Sequence, residues 1–507
     1  MAHRVHVHIR FVLNGFSPIN RRLPLEVLGV IPSFLLRDRD RIIATHICRH
    51  WRNAFLSTPS LWSNISAFKH PAKTKAYIER SGDTSLNISI PTHKLGPEGA
   101  WTSFRMLSSL SNRCRTATFL KDHDHIGWDI FTIIKKPCPR LVELCLEMPY
   151  GASFHGVKDL GGFPSLESLI LIGDMWHLQF SQPSNLRKLG VRCDGWAFRL
   201  PSLLELLAKI PLLEEFEAIV QDLPPKVVEA DALTPVVLKH LRRIVFRGPR
   251  SKFSRTLSAL IAHPNHTEVI LTHYLHYKSL KSAPLNPHKR MFPPKMQLPI
   301  ASPPKFIRYR VVQDEDSSET RCCIDLISVD GQHISIENRY GWPGKSSLET
   351  AKDFTSKELH AQCFGFLGTL DLSLVERFCV EQCSPNPWLI EKVTRGMVNL
   401  ATLVVVNGCL HDVFMGLGSW EPPALVCPLL RRLIVRQDVV VPMGWRALLG
   451  IVEDRAAHGS PLERVTLTSS FNELPQDREE FVERLERATK VTYDFGRNTF
   501  GWVWWKV

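Results

Sequence analysis

The chain has 507 residues, 44% of them hydrophobic and 22% charged, with 63 Lys and Arg against 50 Asp and Glu. This is ordinary globular composition, which excludes collagen-like, coiled-coil and globally disordered architectures. No apolar run reaches the roughly 18–20 residues of a membrane helix. The opening MAHRVHVHIRFVLNGF places His or Arg at every second or third position, so it lacks the apolar core of a secretory signal. Twelve cysteines without a single C-x-x-C are too few for a disulfide scaffold. Most lie in apolar runs, as in Leu144-Cys145-Leu146, and are expected to be reduced thiols in a cytoplasmic or nuclear protein.

In chain order, residues 1–19 read as an N-terminal arm. Residues 20–68 read as three short helices. Leu23, Val27, Leu28, Ile31 and Leu35 follow helical spacing, with Pro24 in the first turn, where a missing N–H is harmless. Pro32 falls inside this helix and is expected to kink it or end it early. Asp38 or Asp40 can cap a second helix carrying Ile42, Ile43, Ile47 and Trp51 on one side, and Thr58-Pro59-Ser60-Leu61-Trp62 opens a third helical turn. Fewer than fifty residues cannot bury so many large apolar side chains internally, so the surplus calls for a covering partner. Residues 69–85 read as a connecting helix.

Three groups carry a family resemblance: Leu23-Pro24-x-Glu26-Val27-Leu28, Ile47-Cys48-Arg49-x-Trp51-Arg52 and Pro59-x-Leu61-Trp62. Together they resemble an F-box. Tyr77-Ile78-Glu79-Arg80-Ser81-Gly82 and then Leu86-Asn87-Ile88 resemble the helix and first strand that come after the F-box in the large fungal, basidiomycete-type, F-box families. The resemblance implies docking on the Skp-type adaptor of a cullin-RING ubiquitin ligase, through Leu23, Pro24, Val27, Leu28, Ile31, Ile42 and Ile47. Trp51 and Trp62 are expected to pack internally.

Beyond residue 86 the chain repeats itself. L-x-x-L-x-L, with apolar substitutes, occurs at Leu141/Leu144/Leu146, Leu166/Leu169/Leu171, Leu186/Leu189/Val191, Leu213/Phe216/Ala218 and Leu241/Ile244/Phe246, with a weaker copy at His266/Val269/Leu271. It resumes at Val375/Phe378/Val380, Leu400/Leu403/Val405, Leu430/Leu433/Val435 and Leu462/Val465/Leu467. A proline commonly precedes each copy. The period is that of leucine-rich repeats, in which one repeat cannot bury its apolar side alone and stacking builds a parallel sheet with a continuous core. The expected fold class is therefore α/β: a small three-helix, F-box-like module, then an irregular leucine-rich-repeat solenoid over 86–274 and 321–495. Arg321–Ile336 reads as a hairpin turning at Asp330-Gly331 that interrupts or extends the sheet. Asp477–Thr489 reads as a charged helix, Val491–Tyr493 as a last strand, and 496–507 as an aromatic tail capping the sheet.

Charge is concentrated. Between Val236 and Arg310 lie fifteen Lys or Arg and one acid, Glu268, so this segment carries the whole net excess of +13. Residues 275–320 within and beyond it read as an irregular excursion, basic and proline-rich and then acidic. Arg242, Arg243, Arg247 and Arg250 are candidate contacts for an acidic target.

Chemical motifs are few. Gly344-Lys345-Ser346 lacks the earlier glycine of a phosphate loop, since that position is Arg339. His3, His6 and His8 fit an exposed strand side better than a metal site, and Asp122-His123-Asp124-His125 reads as a solvated loop. No Cys/His set has zinc spacing and no catalytic constellation is found, so no metal, cofactor or reaction is expected. The expected function is that of a non-catalytic substrate receptor of a Skp–cullin–F-box ubiquitin ligase, acting in ubiquitin-dependent degradation of an unidentified target by holding it near the ubiquitin-charged enzyme. The alternative is a protein-binding repeat scaffold with no ligase role. Nucleic-acid binding through the basic segment ranks below both, and no membrane partner is expected.

Overall fold

The computed structural model describes residues 23–34, 38–65, 71–91, 109–120, 138–147, 158–159, 163–173, 178–179, 185–193, 200–220, 234–248, 261–264, 266–276, 302–314, 319–341, 360–361, 363–383, 385–408, 410–418, 426–437, 442–469 and 478–493. The N-terminal arm, most of the basic proline-rich stretch, Arg250, the three N-terminal histidines, the Asp122–His125 loop, Gly344-Lys345-Ser346 and the aromatic tail lie outside them. The chain forms two compact units, Met1–Leu213 and Glu214–Val507.

The first unit begins with helix α1 (Leu25–Val30), which passes at once into a 3-10 turn, Ile31–Phe34. The α-helix stops before Pro32, as expected of a residue with no N–H to donate. Helices α2 (Asp38–Ala44) and α3 (Arg49–Leu56) come next. The expected single helix over Ile42–Trp51 is thus split in two. The Thr45 hydroxyl donates to the Ile42 carbonyl, Arg52 Nε donates to the Thr45 carbonyl, and Cys48 is fully extended. These side-chain bonds satisfy the helix end that the break exposes. A 3-10 turn at Pro59–Trp62, strand β1 (Asn64–Ile65) and helix α4 (Pro71–Arg80) complete the module.

Strands β2 (Leu86–Pro91), β3 (Cys114–Leu120), β4 (Glu143–Glu147), β5 (Ser168–Ile172) and β6 (Lys188–Cys193) then pair successively in parallel, with β1 joined to the free side of β2. Helix α5 (Leu200–Ala208) comes after them. The register aligns equivalent repeat positions: Leu144 faces Leu169, which faces Leu189. All three are buried.

The second unit starts with β7 (Glu215–Val220), β8 (Arg243–Gly248) and β9 (Glu268–His276), again parallel and in register at Phe216, Ile244 and Val269. The stretch expected to be an irregular excursion instead contributes a strand, β10 (Pro304–Asp314). Its inward positions, Ile307, Tyr309 and Val311, alternate with Arg308 and Arg310, so it shows the period-2 pattern of a half-buried strand. Strands β11 (Glu319–Ser328) and β12 (His333–Gly341) form the expected hairpin, with Gly331 at φ 87° where a side chain would be strained. The insert reverses chain order: β12 lies parallel beside β9, β11 is antiparallel to both its neighbours, and β10 lies parallel beside β13 (Arg377–Glu381). The parallel ladder then continues through β14 (Thr402–Val406), β15 (Arg432–Gln437), β16 (Arg464–Ser469) and β17 (Lys490–Tyr493). Between these strands run α6 (Pro387–Thr394), α7 (Leu410–Leu417), α8 (Pro442–Ala457) and α9 (Arg478–Ala488). Asn386 caps α6 by accepting from the Trp388 N–H, with Pro387 at the first helical position.

The protein is therefore α/β, with mostly parallel strands alternating with helices in the manner of a stacked repeat. The prolines have a defined role. In Cys138-Pro139-Arg140-Leu141, Phe163-Pro164-Ser165-Leu166, Ile210-Pro211-Leu212-Leu213 and Cys427-Pro428-Leu429-Leu430 the last N–H donates to the first carbonyl at 3.0–3.3 Å. Proline thus occupies the second position of a tight turn, where its fixed φ is preformed, and the turn delivers the first buried leucine of each copy. Polar side chains tie successive turns together: Ser165 donates to the Pro139 carbonyl, Thr267 to Leu241, Asn399 to Ser373 and Thr489 to Leu462.

Candidate functional site

The N-terminal module has a buried core and an exposed apolar set. In the core, Trp62 donates its indole N–H to the Phe55 carbonyl at 2.9 Å and meets the Tyr77 ring edge-on at 5.1 Å, with the Arg80 guanidinium 4.7 Å above it. Ala54, Phe55, Leu61, Ile65 and Tyr77 are buried with it. Trp62 is internal packing, as expected, and Trp51 is half-buried against Phe55. Leu28 is fully buried (0% exposed). It departs from the rest of the expected adaptor set: it belongs to the module's own core, because α1 lays that side against α3.

The remaining members are accessible. Pro24 and Val27 are exposed, Val27 by 44%, and Ile47 is exposed too, while Leu23, Ile31 and Ile42 are half-buried. The sequence pattern did not assign Val30, Phe34, Ile43 and Leu56 to this surface, yet all four are exposed, Phe34 by 76%. The 3-10 turn after Val30 is what carries Phe34 outward. Its signal in the sequence was Pro32, which marks the end of regular helix. One small module thus presents an aliphatic and aromatic set to solvent, whereas scattered single apolar residues are the rule on soluble surfaces.

The expected acidic-target arginines sit on and beside β8 with carboxylates already in place. Arg242 is 3.7 Å from Glu214, Arg243 is 3.1 Å from Glu268 and Arg247 is 3.3 Å from Glu217. These ion pairs link neighbouring strands on the outward side of the ladder, so much of the local excess charge is compensated there. Further along, Arg308 of β10 engages Glu381 of β13, and Lys305 lies 3.2 Å from Glu376.

A buried polar cluster lies behind the antiparallel insert. The Tyr309 hydroxyl is 2.6 Å from His360 Nδ1, His273 Nδ1 is 3.2 Å from the Asn338 side-chain oxygen, and Asn338 Nδ2 donates to Cys363 Sγ. Burial pushes the Tyr309 hydroxyl well above its ordinary range and holds His360 down to about 4, so both are neutral at physiological pH. Burial likewise pushes up the thiols of Cys114, Cys379 and Cys427, each to about 12, and Cys323 to about 11. Protonated thiols of this kind are poor nucleophiles. Among the described residues no group of three or more His, Cys, Asp or Glu is placed to hold a metal ion, and no helix is long and apolar enough to cross a membrane.

Arg455 of α8 is a further buried group that local sequence gave no reason to single out. Among the described residues it has no carboxylate in ion-pair range, and it donates to the carbonyls of Val426, Cys427, Pro428 and Leu430. One guanidinium thus holds a complete repeat turn. No protein-family model matches the chain, and no curated protein matches it either.

Proposed function

We propose that the protein is the substrate-recognition subunit of a Skp–cullin–F-box type ubiquitin ligase. In this reading the N-terminal module is an F-box that docks a Skp-type adaptor, and the strands behind it form an irregular leucine-rich-repeat solenoid that binds the target. The observation that carries the proposal is the solvent-exposed apolar set Val27, Val30, Phe34, Ile43 and Ile47 on a module that has its own buried core of Phe55, Trp62 and Tyr77. It supports docking because such a set, left in water, forgoes the roughly 25 cal/mol per Å² that burial against a partner would return. The repeat reading is supported by the turn-strand unit recurring in register at the L-x-x-L-x-L positions. Catalysis in this reading is positional: the chain contributes no reacting group and raises the effective concentration of a target lysine near the charged enzyme.

The test is co-purification of the full chain with a Skp-type adaptor, wild type beside Val27→Asp with Ile47→Asp. Both positions are exposed, so the double variant should keep the wild-type circular dichroism and thermal midpoint while losing the adaptor. Retention of the adaptor by a folded variant, or no adaptor with wild type, defeats the proposal and favours the repeat scaffold without a ligase role.

A further inference from the structure

Strand register places one outward-facing residue per strand in a transverse row near the strand starts. In the first unit this row is Asn64, Asn87, Thr116, Glu143, Ser168 and Lys188. Its first members are joined by side-chain hydrogen bonds: Asn87 donates to Asn64 at 2.7 Å, and Thr116 donates to Asn87 at 3.1 Å. In the second unit the row opens with Glu215, Arg243 and Glu268, and His333 lies 3.4 Å from Glu268. From β13 onward it changes character. Arg377, Thr402, Arg432, Arg464 and Lys490 stand on five successive strands.

All four of these cations are exposed. Among the described residues none has a carboxylate within ion-pair distance, and the acids next to them in sequence are taken: Glu376 by Lys305 and Glu463 by Arg431, each at 3.2 Å. Parallel strands lie about 4.8 Å apart, so Arg432, Arg464 and Lys490 are like charges on adjacent rungs. Like charges directly opposite destabilise a sheet, and at this separation physiological salt, with a screening length of about 8 Å, relieves little of the repulsion. An arrangement that costs stability and has no carboxylate partner among the described residues is suited to a partner outside the chain.

The neighbouring row on the same strands is uncharged: Cys379, Val404, Ile434, Thr466 and Thr492. Val404 and Ile434 are half-buried, with apolar surface still open. We propose that these two rows bind an acidic protein segment in which Asp or Glu side chains alternate with apolar ones, the carboxylates meeting Arg432, Arg464 and Lys490 while the apolar side chains cover Val404 and Ile434. The proposal deepens the target-receptor reading by naming the chemistry of the target, and it rests on that reading for the biological role. A nucleic-acid strand fits less well. On β13 to β17 these two rows carry no aromatic side chain on which a base could stack, and Phe306 of β10 stands beside Arg377 at one end only.

The test uses the full chain and fluorescence anisotropy with three labelled probes: an octapeptide of alternating Glu and Leu, its Gln-for-Glu counterpart, and a single-stranded oligonucleotide of equal charge. Wild type should bind the acidic peptide at least tenfold more tightly than either other probe, and Arg432→Glu with Arg464→Glu should abolish that preference. The single variant Arg464→Glu should show a thermal midpoint equal to or above that of wild type, since it turns the like-charge pairs with Arg432 and Lys490 into opposite-charge ones. Equal binding of the acidic peptide by wild type and variant, tighter binding of the oligonucleotide, or a lowered midpoint overturns the proposal. Adaptor co-purification is measured in parallel. Its loss in the Val27/Ile47 variant with peptide binding intact, and the converse in the Arg432/Arg464 variant, would show the two surfaces to be independent. Peptide binding without any adaptor would leave this inference standing and remove the ligase.

Discussion

His360 is enclosed beneath the antiparallel insert with its Nδ1 against the Tyr309 hydroxyl, and desolvation is the main cause of its depressed pKa, with Asp412 pulling weakly the other way. The consequence for stability has a definite sign. The folded protein holds His360 neutral down to about 4, whereas the unfolded chain takes up the proton near 6.5. Between those values the unfolded state binds more protons, so the contribution is complete above pH 6.5 and is lost as pH falls toward 4. Its size is on the order of 3 kcal/mol. Urea denaturation of wild type should therefore show a midpoint that falls between pH 7 and 4.5, and His360→Gln should flatten that fall. Parallel pH profiles for the two proteins would refute the assignment. None of this was readable from sequence. The partners Tyr309 and His360 lie 51 residues apart, and His273 and Asn338 lie 65 apart. A polar residue in an alternating strand says which side it occupies and nothing about what meets it there.

Elements were more legible than single contacts, because their signals are local. The L-x-x-L-x-L phase, the Asp330-Gly331 hairpin, the helix around Asp477–Thr489 and the strand at Val491–Tyr493 all appear where the sequence put them. Two departures have physical causes. Strand β10 was hidden because prolines and arginines dominate its neighbourhood, although Ile307, Tyr309 and Val311 keep the inward alternation. Its place beside β13 depends on pairing far along the chain, which no local pattern encodes. Helix-to-helix spacing was equally hidden and turns on glycines. A methyl at Gly416 of α7 would meet the Pro387 carbonyl of α6 at 2.5 Å and Ile390 Cβ at 2.7 Å, whereas at Gly450 of α8 nothing lies within 4 Å. Alanine is the better helix former by about 1 kcal/mol. Gly450→Ala should therefore stabilise by roughly 0.5–1 kcal/mol. Gly416→Ala should destabilise by about 1–3 kcal/mol despite the same propensity gain, because backbone cannot yield as a flexible side chain can. Chemical denaturation of the two variants checks the pair, and like signs would mean that α6 and α7 are not packed as described.

For the whole molecule, the repeat architecture makes each core position depend on the turns before and after it, so stability is carried by neighbours and not by any one repeat. The cysteines report on this without any engineered probe. In the first unit Cys114, Cys138 and Cys193 are buried, and in the second Cys322, Cys323, Cys363, Cys379, Cys383 and Cys427 are buried, all as free thiols. Each is screened from an alkylating reagent by the packing of its own repeat and an adjacent one. Labelling with iodoacetamide across a urea series, read by peptide mass spectrometry, should therefore give one midpoint for the three thiols of the first unit. The six of the second unit should share one midpoint too, with half-buried Cys48 reacting before any of them. A reducing agent should leave both midpoints unchanged. Thiols within one unit that react in sequence along the chain would mean that repeats open singly. In that case the register of equivalent leucines, which the sequence period made visible, would be holding strands in line without coupling their stabilities.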